Sequence, residues 1–234
     1  METLGTTGAH ASLLRGSTLL SNEQPVIFIV DDDPSMRATL SDVMRSVGLA
    51  VQTFGLAEDF LRSKLPDAPG CLVLDVRLPG QNGLDFQRTL AESGIELPVV
   101  FITGHGDVPT SVRAMKAGAV DFLTKPFRDQ DLLDAVRVAI ERDRARREHA
   151  MHVADLHERY RSLTERERDI MALVVLGRPN KQITVALGLV EVTVKADRRR
   201  IMHKMGARSL LELVRMADRL SSREEKNSHR RRTA

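Results

Sequence analysis

The chain has 234 residues, enough for two domains with separate cores, and its 35 Lys and Arg against 32 Asp and Glu give a formal net charge of +3. A single cysteine, Cys71, excludes a disulfide framework and reads as a small buried apolar residue in a reducing compartment. No apolar stretch approaches the ~20 residues of a membrane span. Residues 1–24 hold one arginine and no sustained apolar run, so they read as a flexible leader rather than a secretory signal, and a cytoplasmic protein is expected.

Residues 25–140 alternate strand and helix signals. The run Val26 to Val30 ends in Asp31-Asp32-Asp33. Pro34 then opens a helix with Met36, Leu40, Val43, Met44 and Val47 on one stripe, and Gly48 closes it. There follow a strand Val51 to Phe54, a helix Ala57 to Lys64, a strand Cys71 to Asp75 and a helix Gly83 to Ala91. A strand Val99 to Thr103, a helix around Val112 and Met115, a strand Asp121 to Thr124 and a helix from Asp129 complete the set. Five βα units predict a doubly wound α/β domain, and the short continuous apolar runs suit parallel strands buried on both faces.

From Ile140 the text becomes charged, Glu141-Arg142-Asp143-Arg144-Ala145-Arg146-Arg147-Glu148. Pairs such as Asp143 with Arg147 at i,i+4 support a solvated helix. Asp143 and Arg147 interrupt the apolar line a coiled coil needs, so 141–161 reads as an extended helical linker.

The remainder is helical. Thr164 and Glu167 form a capping box opening a helix through Ile170, Leu173, Val174 and Leu176, stopped by Gly177 and Pro179. A short helix Asn180 to Leu187, a turn at Gly188 and a longer helix Glu191 to Met205 describe a helix-turn-helix. Ser209 caps a last helix with Leu210, Leu213, Val214, Ala217 and Leu220 on one face. Charge divides with the elements. Residues 25–140 hold 16 acids and 11 bases, residues 162–220 hold 7 acids and 12 bases, and the tail 221–234 holds 5 bases and 2 acids. The back domain is thus drawn to polyanions, and the tail reads as a disordered basic end.

In an open parallel sheet, sites collect outside the carboxyl ends of the strands. Asp31, Asp32, Asp75, Thr103 and Lys125 all end such runs, so one edge receives carboxylates, a hydroxyl and an ammonium. Asp33 reads as a helix cap. That mixture fits Mg2+ beside a phosphoryl group: carboxylates and water hold the ion, Asp75 attacks phosphorus, and Lys125 and Thr103 grip the phosphoryl oxygens.

With these residues placed, 25–140 resembles a response-regulator receiver domain and 162–220 resembles a LuxR-type helix-turn-helix domain, the combination of the FixJ group of two-component regulators. The stretches Thr103-Gly104-His105-Gly106-Asp107-Val108-Pro109, Met115-Lys116-Ala117-Gly118-Ala119 and Lys125-Pro126-Phe127 carry the likeness in front. Leu163-Thr164-Glu165-Arg166-Glu167, Asn180-Lys181-Gln182-Ile183 and Val192-Thr193-Val194-Lys195 carry it behind. The resemblance implies Asp75 as phosphoacceptor, Asp32 as a direct metal ligand and Asp31 acting mostly through water. It further implies the backbone carbonyl of Arg77 as a ligand, Thr103 and Lys125 as switch residues, Phe122 as an aromatic switch and a cis Lys125-Pro126 bond. It also implies a sensor histidine kinase, promoter double-stranded DNA and RNA polymerase as partners, and a homodimer on phosphorylation.

On the helix from Glu191 to Met205, Val194, Ile201 and Met205 face the core. Val192, Lys195, Ala196, Arg199 and His203 form the opposite, groove-facing line, with Thr193 beside it. Arg198, Arg200, Lys204, Asn180 and Lys181 suit phosphates. Three departures from the LuxR pattern stand out. Val190 replaces a serine cap, Thr184 a small alanine, and Asp197 a histidine; Asp197 points coreward and must pair with an arginine.

Other readings are weaker. A haloacid-dehalogenase-type phosphohydrolase would want a second Asp two residues after its nucleophile, where Arg77 stands, and no Gly-rich phosphate loop is present. A non-enzymatic regulator is therefore expected. A phosphorylation-independent regulator using the receiver as a dimerisation scaffold would not need the complete acidic and switch set. An RNA-binding antiterminator would want aromatic stacking residues.

Overall fold

The computed structural model describes residues 24–104 and 108–232, the last eleven as backbone only. The leader 1–23 and His105-Gly106-Asp107 of the family-like stretch lie outside the described residues. The chain divides into two compact units between Glu148 and His149.

The first unit is built on β1 (Val26–Val30), β2 (Ala50–Phe54), β3 (Gly70–Asp75), β6 (Val99–Thr103) and β7 (Asp121–Thr124), all parallel, in the order β2-β1-β3-β6-β7. A small antiparallel ribbon, β4 (Arg77–Leu78) with β5 (Gln81–Asn82), follows β3. The helices are α1 (Pro34–Ser46), α2 (Ala57–Arg62), α3 (Gly83–Glu92), α4 (Val108–Lys116) and α5 (Asp129–Arg161). Alternate strand residues go to opposite faces, as the two-residue period requires. Phe28, Val30, Leu72, Leu74 and Phe101 pack with Phe60 of α2 and Leu84, Phe86 and Leu90 of α3. Ile27, Ile29, Val73, Val100 and Ile102 pack with Leu40 and Met44 of α1 and Leu132, Val136 and Ile140 of α5. Strand order reverses direction between β1 and β3, so the crevice lies at their carboxyl ends, where Asp31 and Asp75 stand.

The predicted five-stranded doubly wound sheet is present, with local differences. Helix α2 stops at Arg62, because Ser63 is extended ahead of Pro66. Val47 of the apolar stripe is the half-exposed C-cap of α1 rather than core. On α4 only Ala114 is buried, while Val112 and Met115 are exposed.

The larger correction concerns α5. The stretch 141–161, expected as a helical linker, is helical within α5; the difference lies at Asp143. The Asp143–Arg147 pair forms, at 2.9 Å, but Asp143 is fully buried rather than solvated. Its carboxylate accepts from the Gly70 N–H at the start of β3 (3.0 Å) and from Arg146. A buried carboxylate must be hydrogen-bonded, and a strand-initial N–H with no ladder partner supplies the bond.

The second unit packs Leu156 and Tyr160 of α5 with α6 (Glu165–Val175), α7 (Asn180–Leu187), α8 (Glu191–Met205) and α9 (Leu210–Arg232). Ile170, Val174, Ile183, Val194, Ile201, Met205 and Leu213 form its centre. Leu176, placed on the α6 stripe by its spacing, is the exposed C-cap. Gly188 takes the left-handed conformation (φ 65°) that lets α7 stop and α8 begin three residues later. Helix α9 runs on to Arg232 through the stretch expected as a disordered basic tail, which contains no Gly or Pro.

Candidate functional site

At the sheet edge the β1–α1 turn delivers the acids. Asp31 is buried; its Oδ1 accepts from the Asp33 N–H at 2.9 Å, and its own N–H donates to the Phe54 carbonyl. Asp32 is exposed. Asp33 caps α1 by accepting from the Ser35 N–H at 2.8 Å, the role read from sequence. From β3 comes Asp75, nearly buried, with Oδ1 accepting from the Arg77 N–H at 2.9 Å.

Lys125, just after β7, joins the two buried acids. Its Nζ lies 2.8 Å from Asp75 Oδ2 and 2.9 Å from Asp31 Oδ2. Burial lowers the ammonium's pKa, but hydrogen bonds and charge from Asp75 and Asp31 outweigh it and hold Lys125 above the ordinary lysine value. Thr103 is buried at the end of β6, and its carbonyl accepts from the Lys125 N–H at 2.7 Å. The Lys125-Pro126 bond is cis. Phe122 is half-buried beside Phe101, ring centroids 6.3 Å apart.

One carboxylate oxygen each from Asp31, Asp32 and Asp75 lie within 4.8 Å of one another. Oxygen-only donors at that spacing fit a hard divalent cation such as Mg2+, which needs few protein ligands because it keeps water.

Two supports escaped the sequence reading. Arg37 Nη1 donates to the carbonyls of Asp31 (2.7 Å) and Asp32 (3.0 Å), clamping the turn that presents both acids. Its only advance sign was a basic residue on the first turn of α1. The other is Gly83, at the start of α3. A Cβ there would meet the Asp75 carbonyl oxygen at 2.5 Å and Val76 Cα at 3.0 Å, so only glycine fits. The β4–β5 ribbon before it was legible in Pro79-Gly80, a turn dipeptide.

In the second unit, Lys181, Val192, Lys195 and Arg199 are exposed, and Thr193 and Ala196 are partly so. Lys195 pairs on the surface with Glu191 at 3.1 Å, while Arg199 forms no ion pair among the described residues. Arg198 Nη1 donates to Asn180 Oδ1 at 2.8 Å, tying α8 to the start of α7. Asp197 is fully buried and pairs with Arg166 (2.9 Å) and Arg200 (2.6 Å), as its coreward position demanded. Lys204, read as a phosphate contact, is held inside the unit: its Nζ lies 2.6 Å from Glu167 Oε2 and 3.1 Å from the Ser162 carbonyl. A buried Glu167 completing the Thr164 capping box needs that cation. Val190 caps α8 without a side-chain hydrogen bond, and the Thr184 hydroxyl donates to the Lys181 carbonyl at 2.7 Å. Among the described residues, no helix is long and apolar enough to cross a membrane.

Known proteins give the same division. Residues 27–137 match the response regulator receiver domain, and residues 161–217 match the bacterial regulatory proteins of the luxR family. The chain is 53% identical over 206 residues to Nodulation protein W of Bradyrhizobium diazoefficiens, covering 88% of this chain and 91% of that one. It is 46% identical over 201 residues to the response regulator protein TodT of Pseudomonas putida, covering 86% and 88%. It is 41% identical over 191 residues to the transcriptional regulatory protein FixJ of Rhizobium meliloti, covering 82% and 94%. Among solved structures, the response regulator StyR superposes with a TM-score of 0.75 at 45% identity, covering 83% of this chain and 98% of that one. Full-length FixJ from B. japonicum gives 0.52 at 37% identity, covering 86% and 99%. A receiver unit with its acids and lysine gathered at one sheet edge, followed by a LuxR-type helix-turn-helix unit, places this chain in the family of FixJ-type response regulators, DNA-binding regulators of transcription.

Proposed function

We propose that Asp75 accepts a phosphoryl group from a sensor histidine kinase, with Mg2+ held by Asp31, Asp32, Asp75 and the Arg77 carbonyl. The single observation that carries this reading is the Lys125 ammonium lying between Asp75 and Asp31, at 2.8 and 2.9 Å. An Asp75 oxygen attacks phosphorus, the kinase imidazole leaves with the P–N bonding electrons, and an acyl phosphate forms on the carboxylate. Hydrogen bonds from Lys125 Nζ and the Arg77 N–H to the two oxygens of Asp75 fix its plane before attack. Bound Mg2+ supplies charge that offsets the carboxylates and the transferred oxygens. Lys125 and Thr103 stand on adjacent strand ends, where both reach the new phosphoryl oxygens; Phe122, on the same strand as Lys125's approach, turns inward with them.

The chain acts as a cytoplasmic switch rather than a turnover enzyme. Phosphorylation promotes pairing of receivers, brings two α8 helices to promoter DNA as an inverted repeat with half-sites ~10 base pairs apart, and RNA polymerase reads the result. Coupling of this kind is worth about 1–3 kcal/mol, so operator binding tightens by roughly five- to 150-fold.

The test is labelling with a small phosphoryl donor and Mg2+, with sedimentation and DNA titration alongside. Wild type gains one alkali-labile phosphate, shifts from monomer to dimer and binds DNA more tightly; Asp75→Ala does none of these. Undiminished labelling of Asp75→Ala sinks the assignment. A labelled protein that stays monomeric and binds DNA no better refutes the coupling.

A further inference from the structure

Each unit gathers two arginines on one buried carboxylate, and the two arrangements differ in charge. Asp143 holds Arg146 and Arg147, and each of these has a second acid, Glu96 for Arg146 and Asp67 for Arg147. Three carboxylates there meet two guanidinium groups. Asp197 holds Arg166 and Arg200, and among the described residues neither of these has another acidic partner. One carboxylate meets two guanidinium groups, and a positive charge is left over.

That surplus is accessible and ordered. Arg166 and Arg200 are 52% and 58% exposed, although the carboxylate between them has no exposed surface. Arg200 Nη1 lies 2.6 Å from Asp197 Oδ1, and Arg166 Nη2 approaches the same oxygen at 3.5 Å, so both guanidinium groups converge on one carboxylate. Two like charges gathered on a single anion favour a second anion. Each planar fork also keeps N–H donors of the spacing that phosphate oxygens accept. Anchoring on Asp197 removes rotamer freedom before the ligand arrives.

The position suits a DNA strand. Val194, Ile201 and Met205 of α8 are buried, and Val192 and Arg199 on the other side are exposed. Arg200 is three residues from Asp197 and four from Ala196, so it lies between the buried line and the groove-facing line. From Arg166, on the first turn of α6, a second guanidinium reaches the same point.

We infer that Arg166 and Arg200, anchored by the buried Asp197, form a single binding site for the phosphodiester backbone of duplex DNA at the rim of the recognition face. Arg166 is a DNA contact that sequence reading did not assign. The inference rests on α8 being the helix that enters the groove, and its test is chosen to fail separately from that reading.

The probe is a fluorescently labelled random-sequence 20-base-pair duplex, titrated with the full chain over a series of NaCl concentrations. Arg166→Gln and Arg200→Gln should each lower the slope of log affinity against log salt by about one unit, and the double variant by about two. Slopes are read below each variant's melting temperature, so a loss of stability does not mask them. Arg144→Gln, the same charge change in the first unit, should leave the slope as in wild type; an equal fall there overturns the site. An unchanged slope in Arg166→Gln also overturns it, reducing the arginine to a partner for Asp197. Thermal stabilisation by inorganic phosphate that Arg166→Gln abolishes, with the DNA slope intact, would assign a free-anion site and overturn the DNA one. A failure of Lys195 and Arg199 to read bases would appear instead in sequence preference.

Discussion

Lys125 and Asp75, fifty residues apart in the chain, are joined by a 2.8 Å hydrogen bond at the ends of two strands that are not neighbours in the sheet. The ammonium therefore neutralises the carboxylates that a cation would neutralise. Lys125→Met should raise Mg2+ affinity several-fold, because the competing charge is gone, while abolishing the gain in DNA affinity on phosphorylation. Calorimetric Mg2+ titration with DNA titration checks both; weaker Mg2+ binding would contradict the competition.

Base reading and backbone holding should separate on α7 and α8. Lys195→Ala or Arg199→Ala should cost about 1–3 kcal/mol on the cognate site and relax sequence preference. Lys181→Ala should weaken all duplexes alike and flatten the salt slope by about one unit. Equal weakening on every sequence for the first pair would make them phosphate contacts.

Glu167 gives the second unit a pH dependence. Burial raises its pKa, but the hydrogen bond and charge of Lys204 and the Thr164 N–H and hydroxyl region outweigh it, and the carboxyl sits below the ordinary glutamate range. A carboxyl depressed by folding adds stability that is present above the ordinary glutamate pKa and is lost as pH falls through the folded value. Glu167→Gln keeps the capping-box acceptor and loses the ion pair. It should destabilise by about 1–2 kcal/mol at pH 7, and by progressively less as pH falls below the ordinary glutamate range through the folded value. Tyr160, the one tyrosine in a chain without tryptophan, packs in this unit, and its fluorescence follows the unfolding.

Cys71 reports on the other unit. It has no exposed surface, and burial, then the charge of Asp143, drives its thiol pKa far up. A thiol reagent should label it only as the first unit opens. Asp143→Ala leaves the Gly70 N–H without its acceptor and leaves Arg146 and Arg147 only Glu96 and Asp67, a loss of about 1–3 kcal/mol, and should accelerate labelling by roughly five- to 150-fold. Labelling at the wild-type rate would place Asp143 outside the unit's stability.

Most of the site was readable because its residues end apolar runs, and a parallel sheet brings run ends together. Asp197 was readable too, since helical spacing put it coreward and burial required a cation. What escaped depended on partners distant in sequence. Lys204 has a phosphate-contact spacing on α8, but nothing local says that Glu167, 37 residues away, will be buried beneath it. Asp143 resembles any surface helix acid until the unpaired N–H of Gly70 is placed beside it. Arg37 acts on carbonyl oxygens, which carry no side-chain signature.

Gly83 bears on how competence is judged across relatives. With the Asp75 carbonyl 2.5 Å from where a Cβ would stand, any other residue pushes the Asp75 peptide aside. A gene that keeps every acid, the threonine and the lysine, yet has alanine or serine at this place, would encode a receiver that looks intact by inventory although its Asp75 peptide is displaced. Cataloguing such genes as working switches therefore calls for inspecting a residue that has no side chain and takes part in no bond to phosphorus.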